Sequence, residues 1–440
     1  MSKRYVFWRK PDGGLDCDQN GKYAPKMIFA EYGKEASINA NGGIKHSGVL
    51  IFKLEAALKL SVVILTPEDD ELNETDAWNI LRSSLVASVK KCGGGQPLEE
   101  KEVITTADKL AAEFFRKELV LYTAVSSLSL KSFPAQSVQI GGCRISLLSS
   151  LKRYPPPNCL QSYRPLATYR ESSKYKFVKI STSGRSVYEA MDHGLRSLHL
   201  LRGLWSLFAT YRSWSMSSGG SRKKLIGVIH SGPVHTLHNQ DGKPAVDMFW
   251  GESGWTEDRD LFDPEKDKWE IVDKNRRYAM RQLRKSKSVF QREMERLIVR
   301  YAIALDQTDH DVTFLQMWSV LEKITDTIGR YDETVKRAVW PFTKGRQLEK
   351  EILNCMRSRR NLYVHAAEGK GEPDQAAYLI KEFVDIHLVR LIQNSFDAAS
   401  IQEYARHLML SSDLKILKRE RKLLGQAIRA LTPSPNGATT

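Results

Sequence analysis

With 440 residues the chain is too long for one ordinary hydrophobic core, and two or three domains are expected. Hydrophobic residues at 41% and charged residues at 27% give a composition that buries enough apolar surface to exclude global disorder. Lysine and arginine number 67 against 52 aspartates and glutamates, a formal charge of +15 that favours a polyanionic partner, either nucleic acid or an anionic membrane surface. The start, Met1 to Tyr5, lacks the apolar core of a signal peptide, and no run approaches the roughly 18 apolar residues that span a bilayer, so no membrane partner is expected. Cys17, Cys92, Cys143, Cys159 and Cys355 show no C-x-x-C pairing, so neither a zinc site nor a disulfide framework is indicated. A cytoplasmic location fits, and no cofactor or metal is expected.

The fold class reads as α+β: a mixed N-terminal region followed by an all-α helical bundle. Residues 1–165 form the first domain, with strands expected at Tyr5 to Trp8, Met27 to Ala30 and Gly48 to Leu54, broken by glycine and asparagine turns. Trp78, Leu81, Leu85 and Val89 fall at helical spacing after Asp76, and Leu110, Phe114 and Phe115 do so after Thr106. Between them Cys92-Gly93-Gly94-Gly95 reads as a loop; no Lys-Ser/Thr pair follows to make it a phosphate cradle. Three prolines in Tyr154-Pro155-Pro156-Pro157-Asn158 exclude helix and central strand and suggest a subdomain border.

Residues 166–272 form a strand and helix subdomain, or a continuation of the first domain. Tyr175 to Ile180 reads as a strand, and Val187, Met191, Leu195, Leu198, Trp205 and Phe208 trace a long amphipathic helix ending near Ser217-Ser218-Gly219-Gly220. Leu225 to Ile229 and Val246 to Trp250, around a turn at Asn239-Gln240-Asp241-Gly242, suggest a hairpin. His230, His235 and His238 lie there without a carboxylate or cysteine at metal-ligand spacing, and read as strand or turn histidines.

Residues 273–432 are helical almost throughout, a bundle of four to six helices, and 433–440 read as a disordered tail. From Lys274 to Arg300 ten basic residues face only Glu293 and Glu295, and a second basic run occupies Lys415 to Arg429; each is either a solvated helix face or an RNA-backbone contact. Phe314, Met317, Trp318, Leu321, Ile324 and Ile328 make one apolar stripe. Leu348, Ile352, Cys355, Met356 and Arg359 make another, and Ile380, Phe383, Val384, His387, Leu388 and Leu391 a third.

The second of these helices ends in Arg357-Ser358-Arg359-Arg360-Asn361-Leu362-Tyr363-Val364-His365, with Glu368 to Pro373 marking the stop. On an ideal helix Arg360 and His365 differ by about 140° around the axis. Meeting at one phosphate requires the helix to end or distort there, or the two groups to meet across a subunit interface. The pairing suits RNA cleavage, in which a 2′-hydroxyl attacks its own phosphate. Imidazole moves a proton near neutrality, and guanidinium holds phosphate oxygens without losing its charge. The sequence shows no compact Asp/Glu cluster of the two-metal kind. The plain structural alternative is that Arg360 pairs with a carboxylate on a solvated face and His365 caps a helix end.

The R-N-x-x-x-H string on a bundle helix, with Phe314-Leu315-Gln316-Met317-Trp318-Ser319-Val320-Leu321-Glu322 upstream, resembles the HEPN superfamily, especially its Apea-like branch associated with prokaryotic anti-phage defence. The resemblance covers roughly residues 275 to 430. It implies a metal-independent endoribonuclease that works as a homodimer, the two motifs facing each other to make one composite site. Carried over, Arg360 binds the scissile phosphate, His365 transfers the proton, Asn361 orients its neighbours, and Glu322 leans toward the motif from the earlier helix. Arg359 and Tyr363 are candidate RNA contacts. The residues before the helical domain would then restrain the nuclease until a phage-derived or nucleotide trigger arrives. A non-catalytic HEPN module that dimerises and binds nucleotide or RNA is the alternative, with a DNA-binding scaffold ranked last.

Overall fold

The computed structural model describes residues 4–10, 15–16, 25–39, 44–46, 49–68, 70–133, 137–163, 166, 173–211, 226–251, 260–342, 345–366, 373–411 and 413–431. In the N-terminal region, Val6 and Trp8 face inward while Arg9 faces out, the two-residue period of a strand, β1 (Val6–Arg9). It lies between β2 (Leu15–Asp16) and the fully buried β5 (Val62–Ile64) in an antiparallel three-stranded sheet. A separate pair joins β3 (Ala36–Ile38) to β4 (Ile44–His46).

Two expected strands are helices instead. Met27 to Ala30 lies in α1 (Lys26–Glu35), and the described part of Gly48 to Leu54 in α2 (Leu50–Ser61); Gly48 itself lies outside the described residues. Phe29 with Tyr32, and Ile51 with Leu58, are buried at three- and seven-residue intervals. Each short apolar window was thus part of a helical stripe, too brief to show its period. Both pack with α3 (Glu74–Cys92) and α4 (Glu100–Arg116) around Trp8, Phe29, Tyr32, Leu85 and Phe114. The cap of α3 is Asn73, whose Oδ1 accepts from the Asp76 backbone N–H at 3.0 Å while its Nδ2 donates to the Asp76 carboxylate at 2.7 Å. Helix α4 begins at Glu100, well before Thr106. Gly93 ends α3 with φ 83°, so the glycine stretch is a helix stop and loop.

The second sheet has six antiparallel strands in the order β11-β10-β6-β9-β8-β7, comprising β6 (Val120–Leu128), β7 (Ser137–Ile140), β8 (Cys143–Leu147), β9 (Lys176–Gly184), β10 (Val234–His238) and β11 (Trp250–Gly251). Strands from both sides of the Pro155-Pro156-Pro157 segment share this sheet, so residues 1–165 and 166–272 do not divide there; a short α5 (Asn158–Gln161) follows the prolines. The Asn239–Gly242 turn is present, but it joins Val234–His238 to Trp250–Gly251. The described residues Ile226 to Ile229 form no strand, because Gly227 N–H bonds the Leu305 carbonyl at the end of a helix.

By contacts the chain divides into two units. The first takes the described residues of Met1–Leu128, Ala135–Leu198 and Ser231–Trp255; the second takes those of Ser129–Pro134, His199–His230 and Thr256–Thr440. The chain passes from the first to the second within α6 (Val187–Ala209); the expected helix end near Ser217 to Gly220 lies outside the described residues. The second unit holds α7 (Lys266–Lys285), α8 (Ser288–Leu305), α9 (His310–Thr325), α10 (Tyr331–Ala338), α11 (Arg346–Ala366), α12 (Pro373–Gln393), α13 (Ile401–His407) and α14 (Leu414–Leu431). These eight exceed the expected four to six because the α9–α10 connection and the region after α12 each break into short helices. The tail 433–440 lies outside the described residues, and among those described no helix is long and apolar enough to cross a membrane.

Helix α12 lies inside this unit, and it buries polar side chains as well as Ile380, Phe383, Val384 and Leu388. Asp385 accepts from Lys381 Nζ at 2.5 Å and from Tyr301 OH of α8 at 2.8 Å, and Lys381 also donates to the Thr210 carbonyl at 3.1 Å. His387 donates from Nε2 to the Ala338 carbonyl of α10 at 2.9 Å, which leaves Nδ1 to accept the Tyr404 hydroxyl of α13 at 2.8 Å. Burial holds the imidazole neutral and pushes its pKa down to about 4, from an ordinary value near 6.5.

Unfolded chains therefore bind a proton at His387 before folded ones do. Stability is expected to fall as pH drops from about 6.5 to about 4, by up to about 3 kcal/mol. Urea unfolding midpoints across that range should show the slope, and His387→Gln, which keeps a donor and an acceptor but cannot titrate, should flatten it.

Candidate active site

The site is built at the corner between α9 and α10. Asp309 caps α9, its Oδ1 accepting from the Asp311 and Val312 backbone N–H groups at 2.8 and 3.3 Å. At the far end the chain turns at Asp326, in the left-handed region at φ 52°, and buried Arg337 of α10 donates from Nη1 to the Thr325 and Asp326 carbonyls at 2.6 and 3.1 Å. The hydroxyls of Thr325, Thr327 and Thr334 form a buried chain at 2.8 and 2.6 Å. Beside these bonded groups lie two further side chains: Glu322 in the last turn of α9 and Tyr331 at the start of α10.

Glu322 is 8% exposed, and its Oε1 accepts the Trp318 indole N–H at 3.1 Å, one helical turn away. Burial raises its pKa; the Trp318 bond, the Arg360 charge and the Gly329 N–H oppose that without cancelling it. The Arg360 guanidinium lies over the Tyr331 ring, 4.2 Å from its centroid, with a long 3.5 Å contact from Nη1 to Asn361 Oδ1.

The three motif arginines differ. Arg357 pairs with Asp332, and Arg359 Nη2 pairs with Asp311 at 2.8 Å with both side chains mostly buried. Arg360 makes no ion pair with any described residue; its guanidinium is set by the Tyr331 ring face, and its charge acts on the nearby Glu322 carboxyl. The ion pair that the plain structural alternative expects at Arg360 is not formed with a described carboxylate. Arg359, a candidate RNA contact, is tied to an aspartate. Asn361 and Tyr363 are half-buried.

Helix α11 runs unbroken to Ala366, so the backbone neither ends nor distorts between Arg360 and His365. The two positions keep their separation of about 140° around the axis. His365 lies in the last turn; its side chain, and the exit residues Glu368 to Glu372, lie outside the described residues. The buried face of α11 is Leu353 and Met356. Leu348 and Cys355, assigned from the sequence to an inward stripe, are exposed, and with exposed Leu362 they recur every seven residues along the outer face. Ile328 lies beyond the end of α9 and is exposed as well.

Of the histidines, His235 and His238 sit on β10, bonded to Ser126 Oγ at 2.8 Å and to the Gly242 carbonyl at 3.0 Å. His230 bonds Asp306 at 3.1 Å and the Gly227 carbonyl at 2.9 Å. Arg202 also pairs with Asp306; burial would raise that carboxyl, but the Arg202 charge and the His230 bond outweigh it and hold it well below the usual range. Among the described residues no three His, Cys, Asp or Glu side chains assemble as a metal would require. Sequence reading missed Tyr331 and Arg337; neither has a motif, and both act through the α9–α10 corner. Comparison with family models, with curated proteins and with solved structures gives no match.

A carboxyl whose pKa is raised in the fold costs stability once ionised, as pH rises past its folded value. Glu322→Gln, which keeps an acceptor for Trp318, is expected to equal or exceed the parent at pH 7 by about 0–1 kcal/mol, the gain vanishing in acid. Glu322→Ala strands the indole N–H and should lose about 1–3 kcal/mol. Denaturant midpoints decide, and a Gln variant weaker than the Ala variant would refute this account.

Proposed function

We propose that the chain is a metal-independent endoribonuclease of HEPN type that cleaves RNA through Arg360 and His365, acts in prokaryotic anti-phage defence, and is controlled by its N-terminal region. The observation that carries this reading is the state of Arg360: alone among the three arginines of its segment it is left without an ion pair to a described residue, while Tyr331 holds its position. A guanidinium so presented suits a phosphate, whose oxygens it bonds in a fork without titrating. Support comes also from α7 and α8, where Lys274, Arg277, Arg281, Arg284, Lys285 and Arg296 are exposed, a basic surface suited to an RNA backbone.

In this reading His365 takes the 2′-hydroxyl proton or protonates the leaving oxygen, while Arg360 stabilises the charge that develops on the phosphorane. Because α11 stays regular, the reading uses two subunits: Arg360 of one copy and His365 of another face one phosphate. The exposed Leu348, Cys355 and Leu362 line of α11 is where a second copy would gain apolar contact.

Purified protein in EDTA is expected to cut RNA to 2′,3′-cyclic phosphate ends, and Arg360→Ala and His365→Ala each to lose at least about a hundredfold in rate. Mixing the two variants should restore part of the activity, since a mixed dimer holds one intact pair. Equal cleavage by all forms sinks the site. RNA bound but left whole by the parent protein would favour the non-catalytic binding module.

A further inference from the structure

Helix α14 has no buried residue along its 18 positions. Asp413 starts it, Oδ1 accepting the Lys415 backbone N–H at 2.7 Å. At about 100° per residue, Lys415, Lys418, Arg419, Lys422 and Arg429 gather within an arc of about 100°. Ile416, Leu417, Leu423, Leu424, Ile428 and Leu431 fill an opposing arc of about 140°. That apolar half is open to solvent: Leu423 is 55%, Leu424 63% and Leu431 83% exposed. Glu420 is the one acid, set inside the apolar arc, and Arg421 flanks it.

We propose that α14 binds an anionic phospholipid surface, lying in the plane of the bilayer with its leucine face among the acyl chains and its lysines and arginines among the headgroups. Charge complementarity selects this occupant. Lys415, Lys418, Arg419, Arg421, Lys422 and Arg429 against Glu420 leave the helix at +5 (6 − 1), which attracts lipid phosphates and repels a second α14. The apolar arc is also wider than a coiled-coil seam, and 18 residues fall short of the three or four heptads such pairing needs. An RNA backbone would engage the basic arc and leave the leucines in water, whereas a lipid surface uses both faces. The expectation of no membrane partner weighed only a span across the bilayer; α14 carries too many charges to cross one, and its chemistry is that of a helix lying on it.

The test is flotation of the full-length protein with phosphatidylcholine vesicles, with and without phosphatidylserine. Binding is expected to need phosphatidylserine and to weaken with salt. Leu423→Glu with Leu424→Glu should lower vesicle affinity at least about tenfold, and Lys418→Glu with Lys422→Glu by a similar factor. Glu420→Leu should raise it. None of these side chains is in the core, so unfolding midpoints should stay at the parent value. Failure to bind anionic vesicles overturns the proposal. So does binding that survives the leucine pair and falls only with the lysine pair, or self-association without vesicle binding that Leu424→Glu abolishes. Loss of RNA affinity in the lysine pair without any vesicle binding would assign the helix to RNA instead.

Discussion

The helical unit depends on a helix that is buried and yet polar. Along α12, Lys381, Asp385 and His387 all lie inside, where an unpaired charge or imidazole would cost several kcal/mol, so each must find its partner. The partners come from different places: Tyr301 on α8, the Thr210 carbonyl after α6, the Ala338 carbonyl on α10 and Tyr404 on α13. Apolar packing alone tolerates sliding of one helix on another by a turn. Directional bonds of this kind do not, and they set the axial position of each neighbour against α12.

That registration reaches the motif through α10. His387 holds the carbonyl at the C-terminal end of α10, and Arg337, one residue earlier, holds the C-terminal end of α9. Tyr331 lies between these two fixed points and Glu322 one turn before the one on α9; they are the aromatic face and the buried carboxyl beside Arg360. The guanidinium is therefore positioned by groups that are themselves fixed, as the proposed role at a phosphate would need. Arg357 and Arg359, with aspartates beside them, secure α11 to α10 and α9.

The positive charge of the chain is sorted by this architecture. Arg202, Arg276 and Arg337 are internal, each answered by a carboxylate or carbonyl, and their charge is spent within the fold. On α7 and α8 most basic residues stand outside a buried stripe of Val272, Met280, Leu283 and Phe290, beside a few exposed apolar side chains such as Ile271 and Val289. On α14 the same charge lies opposite an exposed apolar arc, which calls for a partner with an apolar interior. Net charge alone offered nucleic acid and membrane as equals; what differs between the two basic surfaces is the continuous exposed leucine arc, present on α14.

Long elements with a sustained period were legible in the sequence: β9, α3, α6, α9 and α12, and with them the short β1, the mixed character of the N-terminal region and the helical character of the rest. So was the motif helix, though not its phase: of the expected stripe Met356 is buried, while Leu348 and Cys355 turned outward and the unread Leu353 lies inside. A Gly141-Gly142 hairpin, with φ 56° and 81° and Ile140 opposite Cys143, carried a plain turn signal that went unread. The α1 and α2 windows went to the wrong class because four to seven residues cannot distinguish a strand from one turn of a buried helix. What tertiary structure alone decided was pairing: which two of the three motif arginines meet an aspartate, that Tyr331 lies under Arg360, and that Glu322 is buried enough for its pKa to be raised. Local spacing determines which residues share a face; which face meets which partner depends on contacts dozens of residues apart, and only the folded chain brings those together.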